Sequence, residues 1–211
     1  MMIPQKRTGI MGGTFNPIHN GHLLLARHAR EYCKLDEVLF MPSGNSYMKD
    51  ANEILSGSIR VAMTELAIKD NPYFTLSTME VERDGPTYTC DTLCELKKIH
   101  DDVLYYLIIG EDTLFSMEYW KNYEEILSGC ILAVASRGDR SRQQMEEKAS
   151  ELINKHRAQI ILLPERKWEI SSTEIRRRIA KGKSITDMVP EKVSSYIQLH
   201  QLYQSHDSDM H

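Results

Sequence analysis

Two stretches of this chain are apolar at almost every position, the run Leu104–Ile109 and the run Ile131–Ala135. A strand with one face in water alternates apolar and polar residues, whereas a strand covered on both faces is apolar throughout. These continuous runs therefore predict two central strands of a parallel sheet. Further β-rich runs occur at Thr8–Gly12, Val38–Pro42, Phe74–Val81 and Gln159–Pro164.

Helical patterns lie between these runs, and such alternation is typical of a parallel sheet with crossover helices. We therefore predict an α/β fold with a Rossmann-like, doubly wound parallel sheet. The helix-rich sequence from about residue 165 to residue 204 predicts a small helical C-terminal part of the same fold. We expect a single domain over residues 1–204 and a loose polar tail over residues 205–211.

The composition argues against several classes of protein. The 26 basic and 30 acidic side chains are well mixed and give a net charge of -4, so no large basic face for nucleic acid is expected. No apolar stretch approaches the ~20 residues of a membrane helix, and no signal peptide is recognisable, which indicates a cytoplasmic protein without a membrane partner. The four cysteines lack the spacing of a zinc site and are expected to be reduced thiols.

A segment rich in glycine and histidine follows the first β-rich run, and residues 12–22 read GGTFNPIHNGH. Gly12 and Gly13 allow a sharp turn and a close approach to a ligand. His19 and His22 are three residues apart, so both imidazoles are expected on one side of the first turn of a helix, where the helix dipole favours an anion. The segment predicts a phosphate site at the carboxyl end of the first strand.

Two other interpretations of this segment remain open. Histidines are common metal ligands, although His19 and His22 lack the third ligand and the carboxylate that histidine-based zinc motifs contain. A purely structural turn is also compatible with the glycines, but it does not explain why glycines and histidines occur together here.

A second segment with phosphate-binding character reads ISSTEIRRR from residue 170 to residue 178. Ser171 and the glutamate three residues later have the spacing of a capping box, which predicts a helix that begins here with outward-facing N–H groups. Arg176 lies three to four residues from Ser172 and Thr173, so these side chains can surround an anion. A helix cap without a ligand is the alternative.

In this order the two segments resemble those of the nucleotidyltransferase superfamily, whose members carry a (H/T)-x-G-H motif after the first strand and an I-S-S-T-x-I-R motif near the end. Within the superfamily, the chain is most similar to the bacterial nicotinate mononucleotide adenylyltransferases, over nearly its whole length. Further matching segments are Glu82–Thr89 with Asp91 and Thr92, Ile109–Asp112, Trp120–Lys121 and parts of Val189–Tyr203.

The resemblance implies transfer of the adenylyl group of ATP to nicotinate mononucleotide, which gives deamido-NAD and pyrophosphate. It implies Mg²⁺ that is carried on the ATP phosphates, with no metal ligand from the protein. The catalytic residues that it implies are His19, His22 and Arg176, with the histidines as donors to the triphosphate. The residues that it implies for ATP binding are Gly12, Gly13, Thr14, Phe15, Arg137, Ser171, Ser172 and Thr173.

For the mononucleotide, the resemblance implies Lys49, Thr89, Asp112 and Trp120. Trp120 would stack on the nicotinate ring, Thr89 would offer its backbone N–H to the carboxylate, and Asp112 would lie near a ribose or the transferring phosphates. Packing in the core is the alternative for Trp120, and a helix N-cap is the alternative for Asp112.

The chain departs from the family pattern at two places. Asn16 stands where aspartate is commoner, which removes a charge and keeps an acceptor. The segment Ser43–Lys49 lacks the histidine of the Pro-Pro-His-Lys-like sequence that many members have, although Lys49 still supplies a cation.

Other functions remain open. An adenylyltransferase for nicotinamide mononucleotide (NMN) acts on an acceptor that differs by one amide, and one for phosphopantetheine would carry threonine at the position of His19. A nucleotide-binding regulator without turnover is an alternative from another class, although the intact His19, His22 and Arg176 favour an enzyme. ATP and nicotinate mononucleotide are the expected partners, and a homo-oligomer is compatible with the sequence.

Overall fold

The computed structural model describes residues 5–44, 54–136, 138–166 and 170–204. Within these residues, six strands form one sheet in which every neighbouring pair is parallel. The strands are β1 (Arg7–Gly13), β2 (Glu37–Pro42), β3 (Phe74–Leu76), β4 (Leu104–Gly110), β5 (Ile131–Ala135) and β6 (Gln159–Leu162). Their order across the sheet is β3-β2-β1-β4-β5-β6, which confirms the predicted α/β fold with a doubly wound parallel sheet.

Helices connect the strands and cover both faces of the sheet. In the described part of the chain they are α1 (Asn20–Cys33), α2 (Gly57–Ile68), α3 (Met79–Glu82), α4 (Thr89–Ile99), α5 (Glu111–Ser116), α6 (Tyr123–Gly129), α7 (Arg142–His156), α8 (Ser172–Ala180) and α9 (Glu191–Leu199). A 3-10 turn, Met117–Tyr119, separates α5 from α6. None of these helices is long and apolar enough to cross a membrane.

The central strands are buried along most of their length, as their continuous apolar sequence predicts. Successive side chains of β4 contribute to two different cores: Tyr106 and Ile108 belong to one hydrophobic cluster, and Leu107 and Ile109 belong to the other. Burial of one large apolar side chain contributes about 1.5–3 kcal/mol to stability. Both faces of the sheet therefore stabilise the fold and hold the carboxyl ends of the strands in place.

The C-terminal helices belong to the first of these clusters. Ile175 of α8 and Val193 and Ile197 of α9 are buried in the same cluster as Met11 of β1. This packing brings the start of α8 next to the segment that follows β1, where Ser172 contacts the backbone.

The strand predicted at Phe74–Val81 is wrong beyond Leu76, because the chain turns into α3 instead. Pairing with β2 stops after the backbone N–H of Ser77 donates to the carbonyl of Phe40. The hydroxyl of Ser77 then accepts from the backbone N–H of Met79 over 3.3 Å. A serine that bonds the backbone two residues ahead favours a turn over an extended strand.

Candidate active site

A cavity of about 310 Å³ lies at the carboxyl ends of β1 and β4. These strands are neighbours, and the strand order reverses between them because β2 and β3 lie on one side and β5 and β6 on the other. Open α/β sheets bind their ligands at such a switch point. The predicted site residues that line the cavity are Gly12, Gly13, Thr14, His22, Thr89 and Trp120.

The glycine–histidine loop, residues 12–22, begins at the end of β1. The prediction that its glycines make the turn is wrong, because the left-handed φ lies at Phe15 (48°) and at neither Gly12 nor Gly13. A Cβ added at Gly12 would meet nothing within 4 Å in the described chain, and Gly12 lines the cavity. The missing side chain therefore leaves room for a ligand against the backbone.

His19 and His22 stand together at the start of α1, which confirms the predicted placement of the two rings. His19 is the N-cap residue and is 5% exposed, and the ring centroids lie 3.7 Å apart in a stacked arrangement. The backbone N–H of His19 donates to Nδ1 of His22 over 3.3 Å. An imidazole that accepts at Nδ1 carries its proton on Nε2, so His22 is held as a hydrogen-bond donor in the cavity lining.

The second motif contacts the glycine–histidine loop through two hydrogen bonds. Ser172 Oγ donates to the carbonyl of Pro17 over 2.9 Å, and Nη1 of Arg176 donates to the carbonyl of Asn16 over 3.0 Å. These bonds fix the N-terminal turn of α8 beside the segment that leads into α1. Both helix N-termini carry partial positive charge, which favours an anion between them.

The start of α8 follows the prediction only in part. Ser171 is the N-cap residue, and its hydroxyl accepts from the backbone N–H of Glu174 over 3.2 Å. The predicted capping box is wrong in its second half, since the Glu174 carboxylate pairs with Arg177 and Arg178. Hydrogen bonds from Arg177 and Arg178 lower the pKa of Glu174 to about 2. Two arginines within one helical turn thus attract the carboxylate away from the cap.

Two residues outside both motifs also hold the loop. Nη1 of Arg60 donates to the carbonyl of Thr14 over 2.8 Å, and its Nε donates to the carbonyl of Leu55 over 2.9 Å. The hydroxyl of Tyr203 donates to Oδ1 of Asn16 over 2.8 Å, so asparagine supplies the acceptor at this position. Arg60 is only 3% exposed, and burial lowers its pKa, while burial raises the pKa of Tyr203. Sequence reasoning gave neither residue a role: Arg60 stands in no motif, and Tyr203 entered only as part of the matching C-terminal segment.

A second part of the lining, the tryptophan wall, consists of Thr87–Thr89 and Trp120. Helix α4 begins at Thr89, so the first backbone N–H groups of the helix have no acceptor within it. Trp120 follows the 3-10 turn, packs against the second hydrophobic cluster and also lines the cavity. Packing in the core and contact with a ligand are therefore compatible for this residue.

Charged side chains on both sides of Trp120 hold it in place. Nζ of Lys121 lies 4.0 Å from the centroid of the Tyr88 ring, within range of a cation–π contact. The carboxylate of Glu118, in the 3-10 turn, pairs with Lys148 and Lys155 of α7 over 2.7 Å each. Hydrogen bonds from these lysines lower the pKa of Glu118 to about 2. The turn before Trp120 is thus held by ion pairs.

Other predicted residues lie outside the lining that the described residues form: Phe15, His19, Asp112, Ser171, Ser172, Thr173 and Arg176. Phe15 is buried, and its ring stands perpendicular to that of His22 at 5.0 Å. Asp112 is exposed in the first turn of α5. Gly110 occupies the N-cap of that helix, so the N-cap alternative for Asp112 is wrong.

The contacts expected of Lys49 and Arg137 stay predictions. Both residues, together with the Ser46–Lys49 part of the atypical loop, lie outside the described residues. Ser43, where that loop begins, lines the cavity, and its backbone N–H donates to the carbonyl of Gly13 over 2.8 Å.

Glu111, the neighbour of Asp112, is the fully buried acid at this end of the sheet. Its carboxylate accepts from Ser136 Oγ over 3.0 Å and from the backbone N–H of Asp139 over 3.2 Å. It ties the end of β4 to the loop after β5. Sequence reasoning missed Glu111, since two adjacent acids after a glycine carry no signal that tells which one is buried.

A protein-held metal ion needs several converging ligands. In the part of the chain that the structure describes, no group of three or more His, Cys, Asp or Glu side chains is arranged to hold one. Nδ1 of His22 already accepts a hydrogen bond from the chain. The geometry of the two histidines therefore suits hydrogen bonding to an anion better than metal ligation.

Comparison with known proteins places the chain among relatives of similar length. A family model described as cytidylyltransferase-like matches residues 10–178. A probable nicotinate-nucleotide adenylyltransferase from Lachnoclostridium phytofermentans is 45% identical over 94% of this chain and 99% of its own length. One from Clostridium beijerinckii is 42% identical over 94% of this chain and 99% of its own length. The chain belongs to the nicotinate-nucleotide adenylyltransferase family. The resemblance inferred from the two motifs is confirmed.

Two solved structures of a nicotinic acid mononucleotide adenylyltransferase have the same fold as this chain. The Plasmodium falciparum nicotinic acid mononucleotide adenylyltransferase complexed with NaAD has a TM-score of 0.77 at 20% identity, covering 94% of this chain and 97% of that one. The same protein complexed with APC gives a TM-score of 0.75. At this identity, the likeness concerns the arrangement of the sheet and its helices.

Proposed function

We propose that this chain transfers the adenylyl group of ATP to nicotinate mononucleotide, giving nicotinate adenine dinucleotide and pyrophosphate in the synthesis of NAD. The observation that carries the proposal is the hydrogen-bonded junction between the glycine–histidine loop and the start of α8, beside one cavity. Membership of the family supports the same activity, since its relatives carry that name.

The reaction joins two phosphates, which requires positioning and charge neutralisation more than a covalent nucleophile. An oxygen of the mononucleotide's phosphate attacks the α-phosphorus of ATP, and the bond from that phosphorus to the α,β-bridging oxygen breaks. Pyrophosphate leaves with the bonding electrons. His22, whose Nε2 carries the proton, donates to the phosphate oxygens as their charge grows, and stacking against His19 keeps its ring oriented.

The start of α8 supplies donors for the β and γ phosphates. The guanidinium of Arg176 has five N–H donors, and its bond to Asn16 uses one of them. Ser171 and Thr173 are exposed at the first turn of α8, where backbone N–H groups have no acceptor within the helix. Gly12, without a side chain, allows the nucleotide to lie against the backbone of β1.

The tryptophan wall supplies the contacts for the pyridine nucleotide. Trp120 offers an aromatic face to the nicotinate ring, and the first turn of α4 offers the backbone N–H of Thr89 to its carboxylate. Lys121, which lines the same cavity, adds positive charge near an acceptor that carries a phosphate and a carboxylate. Backbone donors favour the carboxylate of nicotinate over the carboxamide, whose NH₂ group donates.

Mg²⁺ enters the site with the triphosphate, as part of the substrate MgATP, and neutralises phosphate charge there. The groups that the chain offers, an imidazole N–H, a guanidinium and helix N–H groups, are donors for phosphate oxygens and not ligands for a cation. We place the reaction in the cytoplasm, a setting supported by cysteines that are all free thiols.

Pyrophosphate release from ATP, measured separately with nicotinate mononucleotide, NMN and phosphopantetheine, tests the proposal. We expect release with nicotinate mononucleotide to exceed release with NMN by on the order of tenfold or more. Equal rates with the two pyridine nucleotides would contradict the assigned acceptor. Nucleotide binding without release for any acceptor would indicate a regulator and overturn the enzyme assignment.

A further inference from the structure

Glu80 of α3 is the single acidic side chain among the described residues that line the cavity. A carboxylate there is unexpected, because the acceptor proposed above is itself an anion and like charges repel. None of the chemical steps described so far uses this residue. Its presence therefore needs a different explanation.

The carboxylate of Glu80 collects hydrogen bonds from three residues in two other segments of the chain, the end of β2 and the start of α4. Thr92 Oγ1, in α4, donates to it over 2.8 Å. The hydroxyl of Thr87 and the backbone N–H of Gly44 also donate to it. Burial raises the pKa of Glu80, and these three hydrogen bonds, with the charge of Arg83, act in the opposite direction. A carboxylate can serve several donors at once because its two oxygens offer about four lone pairs.

Gly44 shows how closely these segments approach one another. A Cβ at this position would clash with the carbonyl oxygen of Glu80 and would lie 2.7 Å from Cγ2 of Thr87. Among the residues that the structure describes, no other glycine would place a Cβ so close to another residue's backbone. The end of β2, the turn at α3 and the start of α4 are thus in contact around one carboxylate.

We propose that Glu80 is the positioning residue for the acceptor part of the site: it ties Thr87 and Thr92 to Gly44, and so sets where the tryptophan wall presents the first N–H groups of α4. This proposal rests on the function proposed above and deepens it, since it names the residue that governs affinity for the mononucleotide. Because Thr87, Thr92 and the backbone of Gly44 take up its oxygens, the carboxylate orients the wall and does not contact the ligand.

The test compares two variants with a matched control. Glu80→Gln keeps the shape of the side chain and replaces one acceptor oxygen with an NH₂ group, which opposes one of the three donors. Gly44→Ala leaves Glu80 in place and forces the same segments apart. Glu82→Gln is the control, since Glu82 stands on the same helix, is exposed and accepts from Thr78 Oγ1 over 2.7 Å but does not line the cavity formed by the described residues.

We expect Glu80→Gln to raise KM for nicotinate mononucleotide by about tenfold, the effect of one unsatisfied buried polar group, while KM for ATP stays within about twofold. Gly44→Ala should raise the same constant, and the double variant should show less than the product of the two effects, because both act on one contact. Glu80→Asp, which restores a carboxylate, should recover part of the affinity. Glu82→Gln should leave both KM values unchanged.

Binding of nicotinate mononucleotide alone, followed by tryptophan fluorescence, separates the failure of this proposal from the failure of the proposed function. If the wild-type protein neither binds nor adenylylates the mononucleotide, both proposals fall. If the wild-type protein does both and Glu80→Gln matches it, only the role of Glu80 is overturned. A parallel rise in both KM values, with a lower melting temperature, would show that Glu80 acts on general stability, which also overturns the proposal.

Discussion

The glycine–histidine loop and the tryptophan wall line the same cavity but are held by different kinds of contact. In the loop, the main-chain carbonyls of Thr14, Asn16 and Pro17 each accept a hydrogen bond from a side chain of α2 or α8. The segments beside the wall are held through carboxylates: Glu80 accepts from Thr92, and Glu118 pairs with lysines of α7.

This difference predicts how each part responds to its surroundings. A carbonyl does not titrate, and a buried hydrogen bond is little affected by salt, so the geometry of the phosphate donors should be constant over a wide range of conditions. Ion pairs near the surface are screened by salt and are lost when the carboxylate is protonated. We therefore expect the geometry of the tryptophan wall to depend on salt and pH more strongly than the geometry of the phosphate donors does.

The largest effect is expected at His22. His22→Ala should lower kcat by on the order of 10²-fold, because it removes a donor to charge that develops during transfer, with little change in KM for ATP. His100→Ala, which changes an exposed histidine after α4, is the control. Single-turnover kinetics with nicotinate mononucleotide would measure the effect, and an unchanged rate would return His22 to a structural role.

Trp120 should show the opposite pattern. Trp120→Ala should raise KM for nicotinate mononucleotide by about 5- to 30-fold, a loss typical of one aromatic contact, and leave KM for ATP nearly unchanged. Trp120→Phe keeps an aromatic face and should lose less. Tyr119→Ala, which alters an 88% exposed neighbour, serves as the control. Equal increases in both constants would indicate damaged packing of the wall.

A change at Tyr203, which does not line the cavity of the described chain, tests whether the hydrogen bond to Asn16 positions the glycine–histidine loop. Tyr203→Phe removes one hydroxyl, and with it the hydrogen bond to Asn16, so KM for ATP should rise by about three- to tenfold while KM for the mononucleotide stays constant. Tyr196→Phe makes the same change on α9. A KM for ATP equal to that of the wild type would show that the remaining contacts hold the loop without Tyr203.

The smallest effect is expected at Glu118, where the change in melting temperature measures what the ion pairs contribute to stability. The folded pKa of about 2 lies below the ordinary value of 4.5, so the carboxylate stabilises the fold above about pH 4.5, and this contribution is lost as the pH falls toward 2. Glu118→Gln should therefore melt earlier than the wild type near neutral pH, and the difference should shrink below pH 4.5. It should also shrink at about 0.5 M salt. A difference that is independent of both would contradict the role of the ion pairs.

Much of the fold could be predicted from the sequence because it depends on local periodicity. The apolar runs at β4 and β5 are required by burial on both faces, and the meeting of the two motifs follows from strand ends that share one edge of a parallel sheet. The error at Phe74–Val81 arose because the hydroxyl of Ser77 ends the strand through a backbone contact that apolar patterning does not show.

The details of the site were less predictable because they depend on tertiary contacts. No local sequence signal marks Glu80 or Glu111 as an acid with hydrogen-bond donors around it, because the packed segments of the fold supply those donors. The turn at Phe15 was attributed to the glycines because glycine tolerates positive φ, although the fold imposes that conformation on a phenylalanine. For Lys49 and Arg137, the expected roles still rest on the resemblance alone.

The hydrogen bond between Asn16 and Tyr203 also bears on how the chain folds as it is synthesised, since 187 positions separate its two partners. The glycine–histidine loop leaves the ribosome long before the tyrosine that holds it has been made. Contacts of such long range form late in folding. We therefore expect a growing chain to pair its first strands while the loop is still incomplete, and the proposed ATP part of the site to form only when the later part of the chain docks.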